Sequence, residues 1–220
     1  MIEKILSTRH QVRYFDNEQY PAPDVIDTIL QEAYRLVPSK QNLMPYKIHV
    51  LGPEMLDHKK ELFELASKLE LPNDWNKRFQ ISNTGNTALF APYVLLFEKR
   101  CPEPNEFVKH LISNGHTFPT IDPLTHNTAG LVEASVEVGM FASVLTSLCL
   151  EQGISVSYTG CIPPFLPAKK FKFLNNNFVF LGLSLGYESS NAEYQLAKDK
   201  DISERVGETK PNVTEVISWV

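Results

Sequence analysis

The chain has 220 residues, 43% of them hydrophobic, with a net charge of −5 and a pI of about 5.7. That size and apolar content build a full core, so intrinsic disorder and a disulfide-framework fold are excluded. The acidic balance excludes a general nucleic-acid binder, which needs a basic face, while a local basic pocket remains compatible with it.

The opening residues, Met1 to Thr8, hold no long apolar stretch and carry Glu3, so no secretory leader is expected. Arg9-His10-Gln11-Val12-Arg13 places two guanidinium groups and an imidazole within five residues. Such a cluster is either a grip for a phosphate or an ordinary solvated basic patch. Pro21 and Pro23 introduce a helix over 24–37, with Val25, Ile26, Ile29, Leu30, Ala33 and Val37 at helical spacing and Pro38 as its stop. Pro38 to Tyr46 is a polar loop. Asn42 offers a donor and an acceptor suited to a heterocycle's edge, Ser39 a hydroxyl, and Lys40 a cation that favours electron density on a reduced ring. The same composition also fits a plain helix–strand connector.

Lys47 to Leu51 alternates as a strand and stops at Gly52-Pro53, and an amphipathic helix is expected over 53–70. Ala91 to Phe97 is nearly all apolar, as in a strand buried on both faces. Residues 101–126 show little periodicity, which suits a functional connection or lid, with His116 as a candidate substrate contact. The helix expected over 127–151 is apolar on most sides and rich in small residues, so it is buried twice over, the second time against another subunit. Its charges, Glu133 and Glu137, are expected in salt bridges at that interface rather than on a metal.

A strand over 154–158 runs into Thr159-Gly160, where glycine lets backbone approach a ring or simply makes a turn. A short basic helix over 165–173 and a strand over 178–187 follow, and a polar tail from about residue 188 closes on Val213, Val216, Ile217, Trp219 and Val220. Cys101, Cys149 and Cys161 form no CxxC pair, which points to a reducing, cytoplasmic setting and no zinc site. No run of about 18 uncharged apolar residues is present, so no membrane span is expected. GxGxxG, Walker A and GxSxG motifs are missing. Helices alternate with strands, giving an α/β or α+β domain.

Taken together in chain order, these segments resemble the nitroreductase family of FMN-dependent oxidoreductases. Arg9-His10-Gln11-Val12-Arg13-Tyr14-Phe15 is similar to the family's arginine-rich opening. Pro38, Ser39, Asn42 and Pro45 match its proline–serine–asparagine loop, with Tyr46 in place of tryptophan. The apolar strand at 92–97, the small-residue helix, the Tyr158-Thr159-Gly160 turn and the strand ending Leu185-Gly186-Tyr187 follow in the family's order. The chain departs from the pattern at Gln11 (usually Ser), Met44 (usually Gln), Cys161 (often Gly) and Lys200 (usually Arg).

The resemblance implies one α+β domain over 1–220, with a central mixed or antiparallel sheet flanked by helices. It implies an intertwined homodimer with FMN at the subunit interface and a tail from about 188 wrapping the partner. Arg9, His10, Gln11 and Arg13 would then meet the FMN phosphate and ribityl chain. Pro38, Ser39, Lys40 and Asn42 would lie by the isoalloxazine, Asn42 reaching across the dimer. Tyr158, Thr159 and Gly160 would flank the ring's other side. Lys198 or Lys200 would complete the phosphate site, and Asn83 or Asn86 would add a ring contact. The implied reaction passes hydride from NAD(P)H through flavin N5 to a small acceptor such as a nitroaromatic or quinone, with no catalytic side chain nominated. Other readings are a flavin-consuming or reductively dehalogenating relative, and a flavin-binding protein without turnover.

Overall fold

Four strands, β1 (Tyr46–Leu51), β2 (Tyr93–Lys99), β3 (Ser155–Thr159) and β4 (Val179–Gly186), pair antiparallel throughout in the order β1-β2-β4-β3. The computed structural model describes residues 2–7, 9–67, 86–117, 128–176, 178–190 and 216. It divides into two units, Met1–Leu69 with Gly85–Glu188, and Glu70–Thr84 with Ser189–Val220. Every element discussed belongs to the first unit. Asn83, His126, Lys198, Lys200 and nearly all of the tail lie outside the described residues.

All seven residues of β2 are buried because each face of the sheet carries its own core. Tyr93, Leu95 and Phe97 pack with helices α2 (Pro23–Leu36) and α5 (Thr128–Glu151), while Val94 and Leu96 pack with α3 (Leu56–Ser67), the 3-10 turn Thr87–Phe90 and side chains between 162 and 174. Two covered faces, not parallel pairing, thus make the apolar run at 91–97, and the sheet is antiparallel rather than mixed.

α2 begins with Pro23 in its first turn and buries Ile26, Ile29 and Ala33. It ends at Leu36, and Val37 turns extended ahead of Pro38, as the residue before a proline tends to do. α3 starts at Leu56, later than expected, because Gly52 to Met55 forms a turn closed by Met55 N donating to Gly52 O at 3.1 Å.

Two short helices were not expected. α1 spans Ile2–Ser7, and α4 spans Glu106–Ser113 inside the segment read as irregular. α4 has an N-cap, Asn105, whose Oδ1 accepts from Val108 N at 2.9 Å, and of its apolar side chains Phe107, Val108, Leu111 and Ile112 only Val108 is buried. The expected basic helix at 165–173 is not formed. Phe165 makes an isolated antiparallel bridge to Phe178, and Phe171 N closes a turn on Pro167 O at 3.0 Å. Pro163, Pro164 and Pro167 supply no backbone donors there, and Phe171 and Leu174 plug the second core from a loop.

α5 buries Val138, Phe141, Ala142, Leu145 and Cys149 against the sheet and leaves Val132 and Val136 exposed. Its Gly130–Glu151 stretch, with a mean hydropathy of 1.4, is by length and composition apolar enough to cross a membrane. The N-terminal segment is tied to the end of β4. Phe15 bridges Glu188, Asp16 N donates to Tyr187 O at 2.9 Å, and a Cβ on Gly186 would stand 2.9 Å from Pro92 Cδ and 3.1 Å from Phe15 Cδ1.

Candidate functional site

β3 is an edge strand, so its outer backbone groups need partners. Gln11 supplies them. Its Nε2 donates to Tyr158 O at 2.9 Å and to Ser157 Oγ at 2.6 Å, and its Oε1 accepts from Tyr158 N at 3.3 Å. Both amide protons are thereby used, and the side chain acts as one more rung of the sheet. That is what the glutamine at this unusual position does. Beside it, Arg9, Gln11, Ser143, Thr146 and Tyr158 line a cavity of about 470 Å³. Tyr158 Oη shares a 2.8 Å hydrogen bond with Thr146 Oγ1 and donates to Ala142 O at 3.0 Å, which fixes the ring against α5.

No carboxylate among the described residues pairs with the Arg9 or Arg13 guanidinium. His10 differs, since its Nε2 lies 2.9 Å from Glu188 Oε2 and helps close the N-terminal segment onto the end of β4. At the far end of β3, Thr159 is buried and its Oγ1 accepts from Asn86 Nδ2 at 3.3 Å. Asn86 also caps the 3-10 turn, its Oδ1 accepting from Ala88 N at 3.2 Å. Gly160 is exposed, with no atom within 4 Å of where a Cβ would stand. The half-buried Cys161 sits beside Asn86, whereas burial pushes the Cys149 thiol up to about 12 and leaves it inert.

The loop after α2 is built differently. Gln41, Asn42 and Met44 have φ of 56°, 54° and 48°, the left-handed region that costs a side chain roughly 1–2 kcal/mol each. Ser39 Oγ donates to Glu137 Oε2 at 2.7 Å and accepts from Met44 N at 2.9 Å. Lys40 N donates to Glu137 Oε1 at 3.0 Å, and Lys40 Nζ sits 2.9 Å from Glu133 Oε1. Within one chain, Glu133 thus forms a salt bridge that offsets the Lys40 charge, and Glu137 accepts two hydrogen bonds. Burial, and then the Glu137 carboxylate, raise the Tyr46 phenol well above its ordinary value. Asn42 stays exposed, and Pro38 is exposed at the loop's entrance.

The two clusters flank α5. Glu137 and Thr146 are nine residues apart, two and a half turns, so they stand about 13 Å apart along the axis and on opposite sides. Between those flanks, away from the sheet, the helix presents Val132, Val136, Gly139 and Ser143, all exposed. One protomer thus brings Arg9, Gln11 and Tyr158 together, and Ser39, Lys40 and Asn42 together, but not the two groups with each other. Residues missed by sequence reasoning are Thr146, Arg100 and Asn105. Only the last left a trace, as an asparagine ahead of an acidic first turn.

The fold has solved counterparts. A candidate nitroreductase from Exiguobacterium sibiricum, solved in complex with FMN, superposes with a TM-score of 0.70 at 15% identity, covering 100% of this chain and 97% of that one. A point variant of an FMN- and NADPH-dependent nitroreductase from Sphingopyxis sp. strain HMH gives 0.64 at 15% identity, covering 100% and 98%. The NADPH:FMN oxidoreductase from Vibrio harveyi, complexed with NAD+, gives 0.59 at 17% identity, covering 86% and 70%. No curated protein matches the chain. The sequence model of the nitroreductase family matches residues 6–187, which takes in the arginine segment, the left-handed loop and the whole sheet, and the chain belongs to that family.

Proposed function

We propose that the chain is an NAD(P)H-dependent flavin oxidoreductase that holds FMN between two copies of itself, each copy one FMN-binding domain. The observation that carries this reading is the pair of clusters on opposite flanks of α5, separated by an exposed apolar face. One ligand reaches both clusters only if a second protomer packs on that face and brings its own loop to the first protomer's arginines.

The donors present fit the cofactor. Arg9 and Arg13 carry guanidinium forks unclaimed by any carboxylate among the described residues, suited to the phosphate. The cavity beside Arg9, at about 470 Å³, is of ligand size. The exposed Asn42 offers both donor and acceptor to the ring edge from the partner, and Gly160 leaves room for a ring at the end of β3. Tyr158 and Thr159 shape that wall, and Lys198 or Lys200 would add charge at the phosphate. Gln11 and Ser39, whose polar groups are spent on the fold, contribute shape instead.

FMN bound there supplies the redox chemistry, taking hydride from NAD(P)H and passing it to a small acceptor such as a nitroaromatic or quinone in a ping-pong cycle. The chain's own residues neutralise the phosphate, hold the ring edge and exclude water, so no side chain is required as acid or base. The tail from about 188 is assigned to cover the partner, and the three free cysteines support a reducing, cytoplasmic setting.

Purified protein should be yellow, or become so with FMN, and should oxidise NAD(P)H when an acceptor is supplied. Protein that stays colourless and gains no flavin absorbance on FMN addition sinks the reading. Arg9→Ala with Arg13→Ala should weaken FMN binding by about 100-fold or more, since each lost charge-assisted contact costs roughly 1.5–3 kcal/mol. An unchanged FMN titration removes those arginines from the phosphate site.

A further inference from the structure

The stretch 41–44 is where non-glycine residues with positive φ gather among the described residues. A backbone like this persists only when its surroundings hold it there. Two side chains that the proposed reaction does not use grip it from opposite ends. Glu137, 5% exposed, accepts from Ser39 Oγ and Lys40 N at the entrance. Arg100, at the end of β2, donates through Nη1 to Leu43 O at 2.9 Å and to Met44 O at 2.8 Å at the exit. Asn105 Nδ2 adds a bond to Gln41 O at 2.9 Å while its Oδ1 caps α4. Asn42 lies between these anchors, with its carboxamide unpartnered among the described residues.

We propose that Glu137 and Arg100 are positioning residues for the flavin. By pinning both ends of the loop they hold Asn42 in its left-handed conformation and fix the direction in which its carboxamide is offered. This rests on the flavin reading above. Neither residue needs to touch the cofactor, and both act through Asn42. Glu137 suits the task because a buried carboxylate accepts two strong bonds without adapting its shape. Arg100 suits it because a single guanidinium nitrogen, Nη1, carries two protons, one for each of two successive carbonyls.

The test is FMN titration of flavin-free protein carrying Glu137→Gln, Arg100→Met or Asn42→Ala, and of each of the first two combined with Asn42→Ala. Thermal unfolding of the flavin-free proteins is measured alongside. Glu137→Gln keeps the shape and one acceptor, which guards against loss of the fold, and Arg100→Lys should recover part of what Arg100→Met loses. We expect each single variant to weaken FMN about tenfold and each double variant to bind no worse than Asn42→Ala alone, because effects routed through one residue do not add. Losses that add in the double variants, or single variants that lower the unfolding temperature with FMN affinity unchanged, overturn the positioning role. Wild-type protein that takes up no FMN overturns the flavin reading and this role with it. Wild-type uptake with unaffected variants overturns this role alone.

Discussion

Lys59 shows how far a residue's chemistry can depart from its place in the sequence. It sits on the apolar face of an amphipathic helix, in line with Leu62 and Ala66, where it is 1% exposed and its Nζ donates to Ala91 O at 2.8 Å and Pro92 O at 2.7 Å. Those two carbonyls lie just before β2, beyond the 3-10 turn that Asn86 caps, so the lysine staples α3 to that junction. Burial lowers its pKa from the ordinary 10.5 to about 8, with the Glu54 carboxylate opposing the fall. Between these values the unfolded chain keeps the proton and the folded chain has lost it. Stability therefore rises with pH from about 8 to 10.5 and takes no slope from Lys59 below that window. Relative to Lys59→Met, the wild type should gain about 2 kcal/mol in urea unfolding between pH 8 and pH 10. Parallel pH profiles for the two proteins would remove Lys59 as the source. Gln11 makes the same point without charge. Its position in the arginine segment is plain in the sequence, but its bonding to β3 is visible only once that strand is placed at the edge of the sheet formed by the described residues.

Among the elements, those with a clear apolar period or a long apolar run were legible in advance. α2 buries one defined face, whereas β2 is apolar throughout because both faces of the sheet are covered, and α5 is apolar on most sides. α4 carries Phe107, Val108, Leu111 and Ile112 at helical spacing, but it is only eight residues long and lies in a segment otherwise without a period. The 165–173 segment forms no helix: Pro167 lies within it, Pro163 and Pro164 precede it, and Phe171 and Phe173, two residues apart, do not share one helical face. The junction of β4 with the N-terminal segment depends on a missing side chain. Gly186 lies under the rigid Pro92 ring and Phe15. Gly186→Ala should cost about 1–3 kcal/mol through forced displacement of that ring. At Gly182 the nearest atom is Ile162 Cδ1, the free end of a flexible side chain, so Gly182→Ala should cost less. Equal midpoints for the two variants in denaturant would refute the assignment of Pro92 as the obstacle.

For the whole molecule, the deciding feature is the outward face of α5. Val132 and Val136 are 56% and 58% exposed on a helix whose opposite side is fully packed. Exposed valines on a long apolar helix call for a covering surface. On the proposed function, a second copy is the cover, because the two clusters flank this face and a partner packed on it would complete the site. Val136→Asp should shift the protein to monomer in sedimentation and abolish FMN uptake together. A variant that stays dimeric, or a monomer that binds FMN with unchanged affinity, would separate assembly from the site.

Segment order and residue type, which the linear chain carries, determined the family, the antiparallel-compatible elements and the placement of arginines, loop and turn along it. Tertiary structure decided which of those side chains remain available to a ligand. Hydrogen-bond capacity is finite: Gln11 and Ser39 spend theirs on the edge of β3 and on Glu137, Lys40 spends its charge on Glu133, and the Arg9, Arg13 and Asn42 side chains keep theirs among the described residues. No local pattern records that allocation, because each partner lies about 90 or more residues away along the chain.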